Sequence, residues 1–190
     1  MNIDASKRYS TSQRNLSRLI IIDMQGKLAI AMDVDAMQST SKNCGILLQA
    51  AQLLEVPALY TEQYPKGLGV TLAELAPHLT NIPKVEKTTF SCCDEPRFNR
   101  QLTSDRPQLI LAGMEAHICV LQTALSLAGT NHQVFVVEDA IISRNLANKA
   151  NAIQRMREAG CIITNTESVV FEWLKVAEGD AFKQISRLIR

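Results

Sequence analysis

Three residues of this chain have the types that nucleophilic acyl transfer needs, and each lies at or just beyond a candidate strand. Asp23 closes "RLIIID" (18–23), Lys87 sits in "VEKTTFS" (85–91), and Cys119 lies just beyond "QLILAG" (108–113). A thiol titrates near ~8.5 and attacks only as thiolate. A helix N-terminus and a nearby ammonium both favour that anion, so Cys119 is expected to have a lowered pKa. In such a trio Asp23 takes the thiol proton and Lys87 holds the carboxylate and thiolate in place. Peptide N–H groups of the tight turn before Cys119 then face the developing oxyanion. Taken singly, each residue has a plainer role: turn former, solvated cation, small buried hydrophobe. His117 lies two residues from Cys119, a spacing that does not bring helical side chains face to face, so it reads as a wall or rim residue.

The surrounding pattern says what positions them. "RLIIID" is a short continuous apolar run, the mark of a strand covered on both faces. Met37, Cys44, Leu47, Leu48, Ala51 and Leu54 recur at helical spacing, which predicts a helix over 36–55. Further strands are predicted at 56–61, 84–90, 108–113, 133–139 and 161–165. Helices are predicted near 94–103, 116–128, 146–158, 166–176 and 180–189. Strands alternating with helices call for an α/β fold, a mostly parallel sheet with helices on both faces. In such sheets ligands bind beyond the carboxyl ends of the strands, near the point where strand order reverses. Asp23, Lys87 and Cys119 all meet that condition. Tyr64 and Phe90 stand in strand-end loops and are candidate pocket walls.

Length and composition set the limits. A chain of 190 residues with 46% hydrophobic and 21% charged residues suits one sizeable domain. Residues 1–17 read as a flexible, basic N-terminal arm and 18–190 as the domain; the arm also has the Ser and Arg content of a mitochondrial leader, without a clear apolar face. A net charge of +1 offers no footprint for nucleic acid, and no apolar run approaches the ~20 residues that span a bilayer. Five cysteines, an odd number without an export signal, point to reduced thiols in a cytoplasmic compartment. Cys92 and Cys93 are adjacent and poorly placed to bridge each other. Three scattered histidines and no CxxC pair offer no structural zinc site.

The segments "LIIIDMQ", "TEQYPKGLG", "VEKTTFS", "GMEAHICVLQTAL" and "VEDAIISR" resemble the isochorismatase-like cysteine hydrolases, most nearly the isochorismatase-domain-containing proteins. They stand in the family's order over about residues 18–145. The resemblance implies a three-layer αβα Rossmann-like fold with a six-stranded parallel sheet in order 3-2-1-4-5-6. It maps the family's catalytic aspartate, lysine and cysteine onto Asp23, Lys87 and Cys119. A cis peptide is implied between Met114 and Glu115, oxyanion donors at the backbone N–H groups of Glu115 and Cys119, and Gln25 along the pocket.

By the same resemblance the activity is hydrolysis of a small amide-type C–N bond through a Cys119 thioester. The partners implied are a small-molecule substrate and further copies of the chain, with no cofactor. The segment after the second strand lacks the Asp and His residues with which nicotinamidases of this superfamily hold a metal, so no metal is expected. A binding or scaffold protein of the same fold, and a nuclease-like activity, stand as alternatives.

Overall fold

The computed structural model describes residues 11–189. Six parallel strands form its sheet: β1 (Ser17–Ile22), β2 (Ala58–Gln63), β3 (Lys84–Lys87), β4 (Gln108–Met114), β5 (Gln133–Ile142) and β6 (Ile162–Thr164). Their order is β3-β2-β1-β4-β5-β6, the order expected. The chain leaves β1 towards one edge and returns at β4 to build the other. The reversal therefore lies between β1 and β4, with crevice space above their carboxyl ends.

Period-two alternation divides the strand side chains between two cores. Leu19, Ile21, Ile110, Ala112, Phe135 and Val137 pack under α2 (Val34–Leu53), α7 (Thr166–Leu174) and α8 (Gly179–Ile189). Ile20, Ile22, Leu109, Leu111, Val134 and Val136 pack under α5 (Leu121–Ala128) and α6 (Leu146–Glu158). With both faces covered, the central strands read as continuous apolar runs. Helix α2 starts where Asp33 accepts from the Ala36 N–H at 2.9 Å, and α6 where Asn145 accepts from the Ala147 N–H at 2.8 Å.

Several boundaries differ from the sequence pattern. β3 stops at Lys87, because the Lys87 ammonium draws in the Thr89 and Phe90 carbonyls and curls the chain back. The helix expected near 94–103 is a 3₁₀ turn, Cys92–Asp94, followed by the single-turn α4 (Pro96–Asn99). Glu95 accepts from the Arg97 N–H and Pro96 starts the turn, so the helix cannot begin earlier. The segment leading into α5 is a π-type turn, Ala116–Val120, in which the Glu115 carbonyl accepts from the Val120 N–H at 3.2 Å.

Residues 1–10 of the expected arm lie outside the described residues. Of the remainder, the Ser12 N–H donates to Glu172 at 2.7 Å and Gln108 accepts from the Gln13 N–H at 2.6 Å. Ser17 is the first residue of β1 and accepts from the Trp173 indole at 3.0 Å. That tether makes Trp173 core. Among the described residues no helix is long and apolar enough to cross a membrane.

Candidate active site

Asp23, Lys87 and Cys119 converge above the carboxyl ends of β1, β3 and β4. Asp23 directly follows β1 in a left-handed conformation, φ 50°, which Asp and Asn tolerate better than most residues. Lys87 is the last residue of β3 and lies in register with Gln63 of β2. Gly113, at φ 121°, faces Ile22 so closely that a Cβ would stand 2.0 Å from the Ile22 carbonyl oxygen. Only glycine lets β4 run this near the end of β1, and the next peptide, Met114–Glu115, is cis.

The charged pair is sealed. Lys87 Nζ donates to Asp23 Oδ2 at 2.6 Å, and both side chains are 0% exposed. Nζ also reaches Gln63 Oε1 at 2.6 Å and the carbonyls of Thr89 and Phe90 at 3.2 and 3.3 Å. Burial pulls the lysine pKa down, but Asp23 and the neighbouring thiols outweigh it, so the net direction is up and the ammonium keeps its proton. Asp23 is held from its other oxygen, where Thr61 Oγ1 donates to Oδ1 at 2.7 Å. The Asp23 N–H in turn donates to the Thr61 carbonyl at 3.2 Å.

Cys119 is 5% exposed and packs in the apolar cluster under α5, so the elbow does not present its sulfur openly. Nor is the thiol acidic. Burial raises its pKa, the Asp23 charge raises it further, Lys87 pulls the other way, and a hydrogen bond to Asp23 adds to the rise. This reverses the expected lowering: desolvation and a facing carboxylate outweigh the ammonium. At rest the site holds a thiol against a carboxylate that is itself clamped by an ammonium. Such an arrangement can pass a proton from sulfur to Asp23 as the sulfur attacks.

The Isochorismatase domain model matches residues 17–168. This chain belongs to the isochorismatase family. Isochorismatase domain-containing protein 2 of Bos taurus is 36% identical over 177 residues, spanning 92% of this chain and 83% of that one. The MAR1 Ribonuclease from Caenorhabditis elegans superposes with a TM-score of 0.86 at 35% identity, covering 95% of this chain and 92% of that one. YcaC from Pseudomonas aeruginosa, with hexane-2,5-diol and covalent acrylamide, has a TM-score of 0.86 at 25% identity, with 93% and 90% covered.

Around Asp23, Lys87 and Cys119 of this isochorismatase-family chain, the other expected residues fall in different places. Gln25 is fully buried: its amide nitrogen donates to the carbonyls of Gln63 and Gly69 at 3.0 and 2.6 Å, and its oxygen accepts from the Gln63 N–H at 2.7 Å. Both ends of the Gln25 amide thus hold backbone, at the end of β2 and in the loop at Gly69. Tyr64 and Phe90 are about half exposed and stand at the rim. His117 Nδ1 lies 2.9 Å from Ser143 Oγ, away from the Asp23–Lys87 pair. Glu115, 6% exposed, accepts from the backbone N–H and Nε of Arg144 at 3.2 and 3.0 Å, which fixes the turn before Cys119. A cleft of about 420 Å³ lined by Tyr64, Lys66, Glu86, Glu95 and Arg97 adjoins the site at Lys87, while Asp23 and Cys119 do not line it.

Thr61 and Gln63 escaped the sequence reading. Both lie at the carboxyl end of β2, two apart and so on one face, the same condition that picked out Asp23. Neither is an acid, base or nucleophile, and each acts through the charged group it orients, so residue type alone does not mark them. Among the described residues no group of three His, Cys, Asp or Glu side chains is placed to hold a metal ion. Cys44 and Cys161 pack in the two cores, where burial pushes both thiols up to about 12.

Proposed function

We propose that the protein is a hydrolase of small amide-type C–N bonds that works through a Cys119 thioester, with Asp23 and Lys87 completing the triad. The observation that carries this is the sealed Asp23–Lys87 contact of 2.6 Å, with the buried Cys119 thiol close enough to both that their charges act on it. As sulfur attacks the carbonyl carbon, Asp23 takes its proton, and the charge moves to the carbonyl oxygen against the backbone N–H groups of Glu115 and Cys119. The tetrahedral adduct collapses by breaking the C–N bond, and Asp23 gives the proton to the departing amine or ammonia. Water then attacks the thioester, Asp23 takes one of its protons, and the acid leaves as the thiol reforms. Lys87 holds the Asp23 carboxyl in place through both halves by its 2.6 Å contact. The covalent acrylamide carried by YcaC is in keeping with a nucleophile in this fold.

Free thiols throughout suit a reducing compartment such as the cytoplasm. The exposed Ile30, Val34, Val70 and Leu146 suit a homo-oligomer, which light scattering on the purified protein tests.

The test of the reaction is ammonia release from a panel of small amides, with Cys119→Ala as control. Turnover by the wild type and none by the variant is the expected result, and equal turnover removes the nucleophile. A ribonuclease is the second reading, favoured by the description of the C. elegans relative. RNA cleavage that survives Cys119→Ala while no amide is turned over would establish it instead.

A further inference from the structure

The opposite end of the sheet holds a largely buried charge that has no ion-pair partner among the described residues. Arg18, the second residue of β1, is 9% exposed. Its Nη2 donates to Thr103 Oγ1 at 3.2 Å, while Nε is buried with no partner at all. Among the described residues Arg18 forms no ion pair; Asp105, whose charge acts on it, lies 3.7 Å from Arg106 Nε. A buried N–H with no acceptor is costly, and the Arg18 Nε is such a group, while the Nη end of the guanidinium is the part that a ligand in a lining hollow can reach.

Two hollows meet at Arg18, and they differ in charge. The larger, about 530 Å³, is also lined by Glu55, Asp105 and Arg106, so its two cations face two acids and its charges cancel. The other, about 300 Å³, has no acidic residue in its wall: Leu48, Val56, Pro57 and Ile82 give it an apolar body, Asn81 is polar, and Arg18 is its strong cation. One guanidinium at the edge of an otherwise largely apolar hollow matches a ligand with one anionic head and a hydrocarbon body. Arg18 and Asp23 are five residues apart on a strand, about 16 Å, so this hollow is separate from the triad.

We propose that the hollow between β1, β2 and α2 binds a small amphiphilic carboxylate, its head on the Arg18 guanidinium and its body against Leu48, Val56 and Ile82. Planar carboxylate and guanidinium suit a forked pair, which the two Nη nitrogens can offer from the edge of the hollow.

Calorimetric titration of the full chain with hexanoate tests it, with hexan-1-ol as the uncharged comparison. Hexanoate should bind with a Kd of about 1 mM or tighter, and hexan-1-ol at least about tenfold more weakly. Arg18→Met, which replaces an unpaired buried charge with an apolar chain, should fold and lose at least about tenfold of the hexanoate affinity. Cys119→Ala should bind hexanoate as the wild type does. If Arg18→Met does not fold, a crystal of the wild type soaked in hexanoate decides, with the carboxylate expected at about 3 Å from the guanidinium. No heat of binding by the folded wild type, equal affinity for the alcohol, undiminished affinity in folded Arg18→Met, loss in Cys119→Ala, or a soaked acid lying elsewhere would each overturn the proposal.

Discussion

Lys87→Met probes the centre of the site, because it removes the ammonium and nearly keeps the shape. Lys87 Nζ lies 2.6 Å from Asp23 Oδ2 with both side chains 0% exposed, so water cannot replace it. The substitution leaves Asp23 with the Thr61 hydroxyl at 2.7 Å as its remaining side-chain donor from the sheet. Removing one member of a buried pair typically costs ~3–5 kcal/mol, and the surviving Thr61 bond places the expected loss near ~3 kcal/mol at pH 7. The sign of the pH dependence is fixed. A carboxyl buried without its cation takes up a proton more readily in the native protein than in the unfolded chain. The native state then binds more protons, so the variant gains stability as pH falls from 7 towards ~4, by up to ~1.4 kcal/mol per unit, and its deficit narrows. Asp23→Asn added to Lys87→Met removes the stranded charge and should recover more than half of the loss. Asn also tolerates the left-handed backbone at that position. Urea unfolding followed by the fluorescence of Trp173, the chain's single tryptophan and 2% exposed, measures each variant at fixed protein concentration. A loss below ~1 kcal/mol, or one that does not change with pH, would show that the pair is not a sealed ionic contact.

Thr61→Val removes the hydroxyl that aims Asp23, and should lower kcat about tenfold with little change in KM, while Thr61→Ser restores it; a KM effect alone would make Thr61 merely structural. Because burial and Asp23 hold the Cys119 thiol protonated, its alkylation by iodoacetamide, followed by peptide mass spectrometry, should be slow at neutral pH and still climbing at about pH 10. A plateau below pH 7 would mean a preformed thiolate. Gly113→Ala would set a Cβ 2.0 Å from the Ile22 carbonyl at a backbone φ of 121°, and should cost more than ~3 kcal/mol in urea unfolding. Wild-type stability in that variant would mean that β1 and β4 part without cost.

Much of the fold is legible because burial on two faces leaves a simple trace. "LIII" and "LILA" can be strands only if helices cover both sides, and the alternation of strands with amphipathic segments supplies those helices. The boundaries that moved are those set by long-range polar contacts. β3 ends where Lys87 captures carbonyls two and three residues ahead, and the turn before α5 widens around Glu115, whose carboxylate answers to Arg144 on another strand end. Local propensity carries no record of either.

The site divides in the same way. The sequence by itself determined which chemistries were available: an acid and a sulfur beyond apolar runs, marked locally by where hydrophobic residues stop, and an amine on the weaker, alternating strand KVEK. Only the tertiary structure decided their state. The Cys119 thiol is held protonated, and Gln25 is tied to the backbone at Gln63 and Gly69, because electrostatic balance depends on how much water is excluded and on which groups distant in sequence come within about 3 Å. Spacing along a chain measures neither.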